Sequence, residues 1–242
     1  MRAWIMAAAL LAASAGAGAA EPAGQTPRPA FRAGDYPFQL FVPRGYDEDR
    51  RRRWPLLIFL HGSGERGADL SQVTKWGPPK IVADHPGTPM LIASPQLEAE
   101  GDWDVARLDR LLADLRRNHR VDPSRIYLTG LSLGGMGSWR WALARPELFA
   151  AVAPVAARTP VDGACRLKDM PVWAFHGDDD GAVPMRGNFA MVEAIHACGG
   201  SVKPRLTIYP ATDHFSWVPA YDDPALWRWL LEQRRATPAP QR

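Results

Sequence analysis

Ile126-Tyr127-Leu128-Thr129-Gly130-Leu131-Ser132-Leu133-Gly134-Gly135 is the stretch on which the reading of this chain turns. Its first half is β-branched and apolar, the pattern of a buried strand. Gly130, Ser132 and Gly134 then spell Gly-x-Ser-x-Gly, and beyond them Met136, Trp139 and Leu143 lie among small residues in a helical pattern. Strand, sharp turn and helix are the context that a nucleophile elbow requires. A serine at the tip of so tight a turn sits in a strained backbone conformation, at about 1–3 kcal/mol. The residues two before and two after it must be small, or their side chains would collide. Gly130 and Gly134 meet that need. The turn also brings the free N–H groups of the helix's first turn beside the hydroxyl, where a developing oxyanion is stabilised. A glycine-rich turn that uses Ser132 only as a helix N-cap is the competing explanation.

Outward from the elbow, strands and helices alternate. Pro55–Leu60 is a continuous apolar run, as in a strand covered on both faces. Phe38–Val42 reads as an early edge strand, and Met90–Gln96, Ala150–Ala156, Pro171–His176 and Arg205–Tyr209 as further strands. Between them, Val105, Leu108, Leu111, Leu112 and Leu115 mark one face of an amphipathic helix, with Arg107, Arg110, Asp114 and Arg117 on a solvated face. Phe189–Ala197 and Pro224–Arg234 carry two more helical patterns, and a short helix is expected near Trp76-Gly77-Pro78-Pro79. Alternation of this kind predicts an α/β fold, a mostly parallel sheet with helices on both faces. The short interval from Ala156 to Pro171 leaves no room for a large lid domain.

At 242 residues the chain suits one domain, with 46% hydrophobic and 23% charged residues, the balance of an ordinary globular protein. A net charge of +3 is too small for a nucleic-acid binder, and the basic run Arg50–Arg53 reads as a solvated loop. Residues 1–20 combine Arg2, an apolar run from Ile5 and small residues up to Ala20, the pattern of a cleaved secretory signal peptide. No stretch is long enough for a membrane span after that cleavage. The expected organisation is a linker at 21–34, rich in proline, alanine and glycine, a catalytic domain at 35–236 and a disordered tail at 237–242. Export to the periplasm or beyond follows. In an oxidising compartment the pair Cys165 and Cys198 is read as a disulfide.

A serine hydroxyl is a weak nucleophile without a base, and the base needs an orienting acid. In the chain order expected after such an elbow, the acid and then the histidine follow the serine. His61, His85 and His119 precede Ser132. His176 ends a strand and reads as structural, and His196 lies in a helical pattern. His214, in the loop after the last strand, can swing over the carboxyl edge of the sheet. The acid should follow the strand that ends at His176, where Asp178, Asp179 and Asp180 stand side by side and spacing alone does not choose. The glycine-rich loop His61-Gly62-Ser63-Gly64-Glu65-Arg66-Gly67 lacks the Lys-Ser/Thr of a phosphate loop. Its backbone suits an oxyanion hole, with the N–H groups of Ser63 and Leu133 as donors.

His176-Gly177-Asp178-Asp179-Asp180-Gly181-Ala182-Val183-Pro184 resembles the His-Gly-x-x-Asp-x-x-Val-Pro box of α/β-hydrolase esterases, whose single aspartate falls on Asp180. Leu60–Gly67, the elbow and the His214 loop running into Trp217 fit the same pattern. Over residues 36 to 234 the chain resembles exported bacterial esterases of the dienelactone-hydrolase and prolyl-oligopeptidase-like group, including feruloyl-esterase-like and polyhydroxybutyrate-depolymerase-like enzymes. Dienelactone hydrolases proper carry cysteine at the position of Ser132, which argues against their reaction. The resemblance implies an α/β-hydrolase fold and a triad Ser132, Asp180 and His214 acting on small or polymer-linked carboxylic esters, without cofactor or metal. A binding protein of this fold without turnover, an acyltransferase and a serine peptidase are the alternatives. Trp76, Gln96, Trp103 and Trp217 are candidate walls of the substrate pocket. An open site suits short or aromatic acyl groups better than long lipids.

Overall fold

The computed structural model describes residues 21–235. The expected signal peptide and the 237–242 tail lie outside them. Eight strands form one sheet: β1 (Gly24–Arg28), β2 (Phe38–Val42), β3 (Trp54–Leu60), β4 (Leu91–Pro95), β5 (Val121–Leu131), β6 (Ala151–Val155), β7 (Trp173–Gly177) and β8 (Arg205–Tyr209). The helices are α1 (Pro78–Asp84), α2 (Val105–Asn118), α3 (Leu133–Ala144), α4 (Arg186–Ala197), α5 (Trp217–Asp222) and α6 (Pro224–Glu232). Strand order is β1-β2-β4-β3-β5-β6-β7-β8. β2 pairs antiparallel with β1 and β4, and the strands from β4 to β8 are parallel to one another.

Both faces of the sheet are covered, as the unbroken apolar run of β3 requires. Leu56, Ile58 and Leu60 point into one core with Leu108, Leu111, Trp139 and Ile195, beneath α2, α3 and α4. Leu57 and Phe59 point into the other with Val82, Trp217, Tyr221 and Leu230, beneath α1, α5 and α6. The period-two alternation along one strand thus feeds two cores. From β3 the chain crosses toward β4, and from β5 it crosses to the opposite side, toward β6. The carboxyl ends of β3 and β5, in register at Leu60 and Gly130, therefore flank the point where the winding reverses. Open α/β sheets place their sites at such a point.

The structure corrects the expected linker, the edge position of β2 and the solvated Asp114. The stretch expected to be a linker contributes an edge strand, because Gly24–Arg28 pairs with Phe38–Val42 and displaces β2 from the edge. Pro27 is compatible with that position, since an outermost strand does not need every N–H. Asp114 is not solvated. It is buried against Arg32, at 2.8 Å, and Arg117, at 3.0 Å. Arg32 comes from the supposed linker, which folds back onto α2. The chain after Ser216 forms α5, with Pro219 in its first turn, where a missing N–H breaks no helical bond.

Candidate active site

Ser132 lies between β5 and α3 with φ 51° and ψ −117°, a left-handed conformation that L side chains rarely adopt. The sterics that hold it there are severe. A Cβ on Gly134 would lie 1.9 Å from the Leu60 carbonyl oxygen, and one on Gly130 would lie 2.4 Å from that of Gly134. These are backbone contacts that cannot move aside. Ser132 occupies the cap position of α3, yet its hydroxyl makes no capping bond. The N-cap explanation therefore fails, and the hydroxyl is free for another partner.

That partner is His214. Its Nε2 lies 2.9 Å from Ser132 Oγ, and its Nδ1 lies 2.7 Å from Asp180 Oδ2. A carboxylate can only accept, so Nδ1 carries the proton and Nε2 presents a lone pair to the hydroxyl. The loop bearing His214 lies directly over the end of β7, where Gly177 offers no side chain to obstruct it. Asp180 is buried, and its Oδ1 accepts the N–H groups of Ala182, at 3.0 Å, and Val183, at 2.8 Å. Burial disfavours its ionised form, but the His214 hydrogen bond and these N–H groups outweigh burial and hold its carboxyl below the usual range. Asp178 and Asp179 are exposed, whereas buried Asp180 takes the Nδ1 bond of His214, so the structure separates three adjacent aspartates.

The loop after β3 is braced from below. Gly62 N–H donates to Glu65 Oε2 at 3.1 Å, within a 3-10 turn at Ser63–Glu65. His61, beneath it, donates from Nδ1 to the Gly62 carbonyl at 2.7 Å and accepts the Leu97 N–H at Nε2, at 3.0 Å. Burial lowers the His61 pKa to about 4, so the ring is neutral, as its two bonds require. Burial also raises the Glu65 carboxyl, an effect the Gly62 N–H opposes. Ser63 is exposed in this turn, and Leu133 opens α3, whose first N–H groups have no partner within the helix.

Two of the candidate wall residues face inward instead. Trp103 is 1% exposed and donates Nε1 to the His61 carbonyl, while Gln96, 2% exposed, donates to the Glu65 carbonyl at 2.6 Å. They buttress the loop rather than line a pocket. Trp217, 5% exposed, is buried behind the base, and Trp76 is half-buried next to it. The Trp217 ring centre is 5.1 Å from that of His214, and Trp76 packs edge-on against both Trp217 and Phe215. Phe215, which sequence reasoning passed over, is 48% exposed, a large aromatic surface adjoining the base. A cavity of about 800 Å³ starts at Met136, one helical turn beyond Ser132, and continues past Arg140, Leu143 and Arg158. Another of similar size lies between α1 and α6, and neither of the two is lined by a triad residue.

No family model matches the chain. A solved structure of a thermostable esterase superposes with a TM-score of 0.75 at 31% identity, covering 87% of this chain and 63% of that one. The fold is that of the α/β-hydrolases. A feruloyl esterase module from Clostridium thermocellum, solved with sinapinate, is an α/β-hydrolase neighbour at TM-score 0.66 and 13% identity, covering 88% of this chain and 89% of that one. Among curated proteins, the bifunctional acetylxylan esterase/xylanase of Neocallimastix patriciarum is 23% identical over 57% of this chain. A poly(3-hydroxyalkanoate) depolymerase of Paucimonas lemoignei is 36% identical over 23% of it. The chain spans 20% and 14% of the lengths of those two relatives.

Proposed function

We propose that this α/β-hydrolase cleaves carboxylic esters through an acyl-enzyme. His214 Nε2 takes the proton of Ser132 as Oγ attacks the ester carbonyl. The N–H groups of Ser63 and Leu133 receive the oxyanion, each contributing about 3 kcal/mol to the barrier reduction. Asp180 fixes the imidazole and balances its cation. The alcohol departs with the proton from His214, and water, deprotonated by the same ring, releases the acid. The single observation that carries this reading is the unbroken line Ser132 Oγ–His214 Nε2, at 2.9 Å, and His214 Nδ1–Asp180 Oδ2, at 2.7 Å. The esterases among its relatives support the same chemistry.

The exposed ring of Phe215, packed edge-on against the half-buried Trp76, supports short or aromatic acyl groups as the substrate class. Faster turnover of acetate and ferulate esters than of laurate esters is the expected result, and fastest turnover on laurate contradicts it. Export is part of the same proposal. The Cys165–Cys198 disulfide supports it, because such bonds persist in oxidising compartments. Replacing Ser132 by alanine tests the chemistry. Ester turnover is expected to fall to near background with the fold intact.

A further inference from the structure

His176 touches the triad, yet the reaction above gives it no task. It stands at the end of β7 with 0% of its surface exposed. Its Nε2 lies 2.8 Å from the Val183 carbonyl oxygen and 3.1 Å from Asp180 Oδ2. A carbonyl only accepts, so Nε2 carries the proton and shares it between the two oxygens. Nδ1 is then a bare lone pair, and it has no hydrogen-bond partner among the described residues. Leaving it so is unfavourable. An apolar side chain could fill this volume without that penalty. What the imidazole adds is an N–H aimed at Asp180.

Oδ2 of Asp180 therefore accepts from two imidazoles, His176 and His214, while Oδ1 accepts from Ala182 and Val183. We propose, resting on the ester-hydrolase reading, that His176 is a positioning residue whose N–H aims Asp180 at His214 and tempers how tightly His214 holds its proton. The physical link is direct. Each donor on a carboxylate draws off part of its charge, and a weaker anion stabilises the imidazolium less. Removing the His176 donor leaves a stronger anion and a more basic His214.

For this to work His176 must stay neutral, and burial pushes its pKa below the ordinary histidine value, against the opposing pull of Asp180. The other ionisable groups around the cluster are turned outward. Asp178 and Asp179 on the loop after β7, Arg186 at the start of α4 and Asp213 before the base are all exposed. Asp213 is occupied by the Phe215 N–H. Ser132 faces the cluster from the elbow, through Nε2 of His214.

The test is an imidazole ¹⁵N titration of the full chain by NMR, in the wild type, His176→Leu and His176→Gln. The wild type is expected to hold His176 as the neutral Nε2–H tautomer throughout. His176→Leu should raise the His214 pKa by about half a unit or more. It should also lower kcat on phenyl acetate about tenfold with KM unchanged. The glutamine amide N–H reaches the same point and should restore both values. An Nδ1–H tautomer in the wild type, or an unmoved His214 pKa in folded His176→Leu, would overturn the proposal. If the leucine variant does not fold, His176→Asn takes its place with the same expectation, because its shorter amide cannot reach Oδ2. Absence of ester turnover in the wild type would sink the ester-hydrolase reading instead, since titrating His214 needs no substrate.

Discussion

Gly177 and Thr212 are in backbone contact: a Cβ on residue 177 would sit 2.1 Å from the Thr212 carbonyl oxygen and 2.5 Å from that of Asp213. The close approach seats the loop that carries His214 on the end of β7, beside the turn that carries Asp180. Replacing Gly177 with alanine should therefore push the base off its line to Ser132. A misplacement of about 1 Å costs about a hundredfold in rate. Steady-state kinetics of Gly177→Ala should show that loss in kcat, with the thermal midpoint lowered far less than the rate implies. Unchanged kcat would mean that the loop is seated by other contacts.

The disulfide makes a prediction about stability rather than chemistry. Cys165 and Cys198 are 33 residues apart, joining the turn before β7 to the end of α4. In the chain-entropy model, closing a loop of that length stabilises the fold by about 3–4 kcal/mol, through the unfolded state. Urea unfolding with and without reductant, or of Cys165→Ser/Cys198→Ser, should show a loss of that order. Ester turnover under native conditions should be retained, because neither cysteine takes part in the reaction.

Buried histidines set the acid limit of the fold. His61 titrates at about 4 in the native state against 6.5 in an open chain, because burial excludes its cation. Between those values the unfolded chain binds more protons, so stability rises with pH across that window and is lost as pH falls through it. From about pH 7.5 to about pH 5 the loss from His61 alone is about 2 kcal/mol. His119 and His176, also lowered by burial, act in the same direction. Urea unfolding at the two pH values checks this, and His61→Asn should show a smaller difference between them. An equal difference in wild type and variant would assign the pH dependence elsewhere.

How much of this could be read beforehand depends on what each residue has to satisfy. The elbow was legible because its geometry demands small residues at fixed offsets, and glycine there is a steric requirement. His214 was legible from chain order. Asp180 was not separable from Asp178 and Asp179 by spacing. Only the family resemblance singled it out, and the structure adds the reason: its Oδ1 takes the N–H groups of the turn that follows. Gln96 and Trp103 were misread because polarity and aromatic character do not say on which side of a loop a side chain falls. β1 escaped notice because a five-residue edge strand containing Gly24 and Pro27 shows no alternation. Asp114 looked solvated because its neighbour Arg32 comes from 82 residues away.

Covalent labelling by a fluorophosphonate, followed by peptide mass spectrometry, bears on the central claim most directly, because it asks whether the hydroxyl is activated. The probe should add once, on the peptide carrying Ser132. Labelling should be lost in His214→Ala, which removes the base but leaves the serine in place. An untouched Ser132 in folded wild-type protein, or equal labelling without His214, would contradict the assignment.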